Sequence, residues 1–251
     1  MAIDTHTHIS DERFDGDRDE VIKRYRSAGV ETIFEILCEQ KLWDKGFELA
    51  KTKDIWTAFA IHPHEAKTAT NADFEKLKKI ICSDKCIAVG ETGLDYHYNL
   101  SPQNEQKDVF RKQIEISIDA KKPIIVHCRE AYKDTLEILR DYSFECGGVI
   151  HSFEGSFMEA KTFIDMGFVI GICSAITFKK SGDLKEVVSR IDGSKILAET
   201  DCPYRSPQKF RGQRSEPAFV VEVIKEIANI KNISYLEAET MTTQNAIKLF
   251  L

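Results

Sequence analysis

Short, apolar, β-rich runs recur eight times along the 251-residue chain, each followed by a stretch with helical spacing. The runs are Ala2–Thr5, Val30–Leu37, Ile55–Ile61, Cys86–Glu91, Pro123–His127, Gly148–His151, Gly167–Ile172 and Lys195–Thr200. Strands separated by helices at roughly 30-residue intervals join as parallel neighbours through crossovers. Eight such units predict an α/β fold, a single-domain (β/α)₈ TIM barrel over residues 1–251. A doubly wound open sheet is the alternative, because counting strands does not show closure.

The helical stretches carry one-sided apolar stripes. Val21, Ile22, Tyr25 and Ala28 form one; Phe110, Ile114 and Ile118 a second; Phe219, Val220, Val223, Ile224 and Ile227 a third. Ser234-Tyr-Leu-Glu237 is a capping-box pattern that opens a final helix.

Composition narrows the class. With 42% hydrophobic and 30% charged residues but only 13 Gly and 6 Pro, the chain is neither collagen-like nor disordered. Seven cysteines, an odd number, exclude a fully paired disulfide framework and suit a reducing cytoplasm. No basic-then-apolar leader opens the sequence, and no run nears the roughly 20 apolar residues of a membrane span. A net charge of −6 argues against broad coating of nucleic acid, though not against a local basic patch.

Histidine placement carries the chemistry. Of the seven, His6, His8, His62, His64, His127 and His151 stand at C-terminal strand ends, the rim where such barrels build active sites; His97 follows the fourth strand. His6 and His8, two apart on a strand, project to one side, with Asp4 preceding them on that face. Glu91 closes the fourth strand, and Asp201 follows the eighth. Singly, each could be a cap, a rim ion pair or a satisfied rim histidine. Together, four imidazoles and two carboxylates suggest two ions, or one ion with a bridging group. The mixed set suits zinc, manganese or iron better than magnesium. Cys128 and Cys202 each follow a candidate ligand, so strand alternation turns them away.

Eight blocks stand out: Asp4-Thr-His6-Thr-His8, Ile61-His62-Pro63-His64, Gly90-Glu91-Thr-Gly-Leu-Asp95-Tyr96, His127-Cys-Arg129-Glu-Ala131, His151-Ser-Phe-Glu-Gly155-Ser156, Glu199-Thr-Asp201-Cys-Pro203-Tyr204, Arg211-Gly-Gln-Arg214-Ser-Glu216-Pro217 and Thr243-Gln-Asn245-Ala-Ile-Lys-Leu249-Phe250. These blocks resemble the TatD family of metal-dependent deoxyribonucleases. They run in order over essentially the whole chain. Ser152, Gln213 and Ser215 stand where Cys, Lys and Asn are commoner, and none of these departures removes a candidate ligand.

The resemblance implies a TIM barrel with two divalent ions, zinc, manganese or magnesium. His6, His8, Glu91 and Asp201 would surround one, and Glu91, His127 and His151 the other. It implies exonucleolytic hydrolysis of DNA, or of RNA, with no obligate protein partner and no membrane. Asp201, Glu91 and His62 are the expected catalytic residues, Asp201 as base. His62, His64 and Arg129 would meet the phosphate. Independently of the resemblance, the loop from Arg205 to Arg214 holds four cations and no acid, so Lys209, Arg211 and Arg214 are expected to form a track for a polyanion, with Phe210 offering a face to an unpaired base. The alternatives are a C–N, ester or lactone hydrolase acting on a small molecule or aminoacylated RNA, and a non-catalytic metal-binding protein.

Overall fold

The computed structural model describes residues 1–251. Strands and helices alternate as β1 (Ala2–Thr7), α1 (Arg18–Ser27), β2 (Val30–Leu37), α2 (Trp43–Ala50), β3 (Ile55–Phe59), α3 (Asn71–Ile80), β4 (Cys86–Asp95), α4 (Gln103–Asp119), β5 (Ile124–Arg129), α5 (Tyr132–Leu139), β6 (Gly148–Ile150), α6 (Phe157–Asp165), β7 (Phe168–Ile172), α7 (Gly182–Arg190) and β8 (Ile196–Ala198), ending with α8 (Val220–Lys231) and α9 (Tyr235–Phe250). The strands pair in sequence order, each parallel to the next.

The sheet closes on itself, as the TIM-barrel reading expects. Thr7 bridges Cys202 in parallel, the Cys202 carbonyl accepts from His8 N at 2.8 Å, and the His6 carbonyl accepts from Asp201 N at 3.0 Å. Asp4 fastens the same seam, accepting from Thr200 N at 2.9 Å and Thr200 Oγ1 at 2.6 Å. No helix is long and apolar enough to cross a membrane.

The barrel interior is filled by Ile3, Phe34, Ile36, Ile87, Ile125, Val149, Val169 and Leu197. α9 crosses the N-terminal end and completes this core with Ala246 and Phe250. The Phe250 ring meets Phe34 edge-on, centroids 5.2 Å apart. Its start is the expected capping box, with Ser234 and Glu237 satisfying each other's backbone N–H groups. Two stripe positions differ from expectation: Ala28, which caps the C-terminus of α1, and Ile118, in the last turn of α4, are exposed. On α4 the glutamines Gln106 and Gln113 are fully buried instead.

Two bulges decide what faces the C-terminal mouth. Between Asp4 and Thr7, β1 advances three residues while β2 advances two, from Ile33 to Glu35. The extra residue reverses the alternation, a familiar effect of β-bulges. Asp4 is left at the seam, contrary to the expectation that it shares a face with His6 and His8. β4 repeats the device: Val89 pairs with Ile124 and Thr92 with Val126, so three steps again match two. Glu91 sits inside this bulge, well before the end of β4, which runs on to Asp95.

The glycines beside Glu91 are obligatory. A Cβ on Gly90 would lie 2.3 Å from Ile125 Cβ; one on Gly93, where φ is +146°, would lie 2.0 Å from the His127 carbonyl oxygen. Gly93→Ala is therefore expected to cost at least about 2 kcal/mol, from overpacking and a left-handed backbone together. Exposed Gly16, with nothing within 4 Å of its added Cβ, provides a control, and Gly16→Ala should be close to neutral. Urea unfolding of the metal-free variants measures both.

Candidate metal centre and active site

The six candidate ligands converge. β1 and the turn after it bring His6 and His8, the β4 bulge Glu91, β5 His127, the residue after β6 His151, and the loop after β8 Asp201. Asp201 lies beyond the strand, held at φ +56° by the bond from its N–H to His6.

Glu91 is 4% exposed and stands at the centre. Its Oε1 lies 3.7 Å from His6 Nε2 and 3.6 Å from His8 Nε2. Its Oε2 lies 3.1 Å from His127 Nδ1 and 3.6 Å from His151 Nε2. Asp201 Oδ1 is 3.4 Å from His8 Nε2 and 3.9 Å from His151 Nε2. Burial alone would push the Glu91 carboxyl up, but His151, His6 and His127 hold it well below the usual carboxylate range.

The rings are oriented from behind. His8 Nδ1–H donates to the Ile36 carbonyl at 2.9 Å, leaving Nε2 for the site. Asp95 Oδ2 accepts from His127 Nε2 at 3.1 Å and from His64 Nε2 at 2.9 Å, leaving His127 Nδ1 facing Glu91. Glu199 Oε1 lies 2.9 Å from His151 Nδ1, out of line for a hydrogen bond, and accepts from Ser152 N at 2.6 Å. A carboxylate or carbonyl behind a ligating imidazole is the usual support of a metal site.

The donor set fits metal ions. His6, His8 and Asp201 offer donor atoms within 4.8 Å of one another, as do His62, Glu91 and His127. His6 and His8 point nitrogens at each other across 3.2 Å, and His6 stacks on His151 with centroids 3.4 Å apart. Neutral imidazoles so placed aim lone pairs at one another and at carboxylates, an arrangement that only an intervening proton or cation makes favourable. Burial opposes charge on His8 and His127, yet Asp201 and Glu91 raise the first to about 9, and Asp95 and Glu91 raise the second to about 9.

A cavity of about 850 Å³ opens over these residues. His62 and His64, in the turn after β3, line it. Burial holds His62 well below its ordinary pKa, so its ring is neutral; its Nδ1 accepts from His64 N at 3.1 Å. Its single proton is thus on Nε2, 3.8 Å from Glu91 Oε1. Arg129 also lines the cavity, its guanidinium over the Tyr98 ring and paired with no acid.

Lys209, Arg211 and Arg214 do not line this cavity. The loop expected to form an open cationic track is largely neutralised: Lys209 pairs with Glu222 at 3.1 Å, Arg214 with Asp17 at 2.7 Å, and Arg205 with Glu154. Phe210, between Lys209 and Arg211, is stacked on Phe219 at 4.1 Å. Only Arg211 of the loop's four cations has no acidic partner. His97 pairs with Glu130 at 2.7 Å on the outer rim. Cys128 and Cys202 are packed in the core as expected, whereas Cys38 brings Sγ to 3.7 Å from Glu91 Oε1, where burial keeps it a thiol. Asp95, Glu199 and Cys38 escape a reading by strand ends. Asp95 lies four residues past Glu91, Glu199 is two short of Asp201, and Cys38 follows a strand without histidine.

A parallel barrel that gathers imidazoles and carboxylates at its C-terminal mouth has the design of a metal-dependent hydrolase. Sequence comparison narrows this class, since the family described as TatD related DNase matches residues 3–251. The chain belongs to the TatD family. It is 38% identical to the metal-dependent hydrolase YabD of Bacillus subtilis strain 168, over all of this chain and 99% of that one. It is 29% identical to the 3′-5′ ssDNA/RNA exonuclease TatD of Cronobacter sakazakii, over 99% of this chain and 97% of that one. The crystal structure of YjjV, a TatD homologue from Escherichia coli K12, superposes with a TM-score of 0.95 at 25% identity, covering 99% and 97% of the two chains.

Two outcomes follow from the ring orientations. His8 and His127, with values of about 9, hold protons at pH 7, and a protonated imidazole cannot ligate. Metal binding should release protons at pH 7, and apparent affinity should climb with pH until about 9, as read by calorimetry in buffers of different ionisation enthalpy. Both oxygens of Asp95 accept N–H groups, Oδ2 from His64 and His127 and Oδ1 from Tyr98, so Asp95→Asn would set an amide NH₂ against one side or the other and remove the charge behind His127. It should weaken metal binding about 10- to 100-fold, as losses of such supporting groups do, with the fold retained; metal content after dialysis checks this.

Proposed function

We propose that the protein is a metal-dependent phosphodiesterase that trims DNA, and RNA of the same unpaired form, from a free end with two divalent ions. The observation that carries this reading is the division of Glu91, whose Oε1 faces His6 and His8 and whose Oε2 faces His127 and His151. One carboxylate so divided suits two ions, the first among His6, His8, Glu91 and Asp201, the second among Glu91, His127 and His151. Zinc, manganese or magnesium there would supply Lewis acidity to the phosphate and to water. The relative named as a 3′-5′ ssDNA/RNA exonuclease supports the choice of polymer.

The chain's own groups divide the remaining work. Both carboxylates line the cavity, but Asp201 has 21% of its side chain exposed against 5% for Glu91, so it is the base that takes the proton of the attacking water. Glu91 stays ionised and holds the two halves of the site together. His62 donates Nε2–H to a non-bridging phosphate oxygen, and Arg129 adds a positive charge. His64, with Nε2 committed to Asp95, presents Nδ1 beside them. Of Lys209, Arg211 and Arg214, Arg211 alone is free to extend this grip.

The test uses metal-stripped protein, end-labelled single- and double-stranded DNA and RNA, and each divalent ion in turn. Progressive shortening from one end, abolished by chelator and restored by the ion, is expected; chelator-resistant cleavage would refute the proposal. Asp201→Asn keeps shape but loses charge and basicity. It should cost at least about a hundredfold in rate, the low end for a general base, with unchanged circular dichroism.

A further inference from the structure

Of the seven tyrosines only Tyr98 and Tyr204 are exposed, at 55% and 48%, and both line the metal cavity. Tyr98 belongs to the loop after β4 and Tyr204 to the loop after β8. These strands are four apart in a closed ring of eight, so the two rings stand on opposite sides of the mouth.

Their surroundings match. Each ring is backed by a guanidinium from the loop or strand end next around the barrel. Arg129 Cζ lies 4.7 Å from the Tyr98 centroid, and Arg13 Cζ 4.4 Å from that of Tyr204. The Arg13 fork is itself held by Asp11 through two 2.8 Å bonds. Each ring also meets an imidazole of the site edge-to-face, Tyr98 with His64 at 5.6 Å and Tyr204 with His8 at 5.9 Å. Large aromatic faces fixed from behind and left half-open towards a cavity are what a stacking site requires.

We propose that Tyr98 and Tyr204 are base-stacking platforms that hold the two nucleobases flanking the scissile phosphodiester, one on either side of Glu91. This rests on the phosphodiesterase reading and sharpens its substrate. Bases drawn to opposite walls cannot stay stacked on each other or paired with a complementary strand. The site therefore takes unpaired ends, needs at least a dinucleotide and tolerates any base, since every base has a face to stack.

Stopped-flow fluorescence with metal-loaded protein and single-stranded oligonucleotides carrying 2-aminopurine on one or the other side of the scissile bond tests this. Quenching in the binding phase, before cleavage, is expected at both positions. Tyr98→Leu and Tyr204→Leu should each abolish it at one position and weaken binding about 5- to 150-fold, the range for one stacked base, with metal content unchanged. Tyr→Phe at either site should retain it. An abasic sugar at the matching position should cost wild type the same factor and cost the Leu variant nothing more. Wild type that cleaves these strands while both Leu variants bind them undiminished overturns the platforms alone. Wild type that neither binds nor cleaves any polynucleotide overturns the phosphodiesterase reading beneath them.

Discussion

The mouth of this barrel is organised around one buried anion, the carboxylate of Glu91. Placing an ionised group in a nearly dry site costs several kcal/mol unless positive charge answers it. Four imidazoles from β1, β5 and the end of β6 do so, and the stretch of chain around each is shaped to let it. The bulge in β1 turns His6 and His8 inward, and the bulge in β4 turns Glu91 inward. Gly90 and Gly93 clear the space against β5 in which His127 can approach. The anion and its partners thus form one unit: take away the carboxylate and the histidines repel, take away the histidines and the carboxylate is stranded.

Rigidity comes from a layer of buried polar groups between barrel and helices. Gln113 of α4 accepts from Ile61 N at 2.7 Å and donates to the Ile61 carbonyl at 2.9 Å, fixing the turn that carries His62. Gln106, two turns earlier, accepts from Asp95 N at 2.8 Å. Glu35 accepts from Ile9 N and Ser10 N, both at 2.8 Å, and so holds the chain just past His8. Each of these groups is anchored to backbone, and Gln113 and Glu35 also bond the strand hydroxyls of Thr92 and Thr7, so the donor positions are set by the strands. Pre-organisation of this kind is what makes electrostatic catalysis effective.

The architecture and the convergence of the six candidate ligands at one mouth were legible in the sequence because both rest on periodic signals. Eight apolar runs announce eight strands, and histidine or carboxylate at the end of a run announces a rim. What escaped was whatever depends on a shift of one residue. Asp4 and His6 share a face on a regular strand and lose that relation only through a bulge, which no composition betrays. Gln106 and Gln113 look like ordinary polar positions of an exposed helix face, and their burial follows from the strand ends they meet. The cations between Arg205 and Arg214 looked unopposed because Glu222, Asp17 and Glu154, which answer three of them, come from other elements. Local charge counts cannot see partners brought by the fold.

The seam between β1 and the segment after β8 joins residues 196 positions apart, as the bond from Thr200 to Asp4 records. Pairings so distant are entropically the last to be rewarded during folding. His6 and His8 stand on one lip of that seam and Asp201 on the other, so half of the polar centre does not exist until the ring is complete. A nascent or partly opened chain accordingly holds scattered histidines but no hydrolytic site. The architecture withholds chemistry until the last strand has found the first.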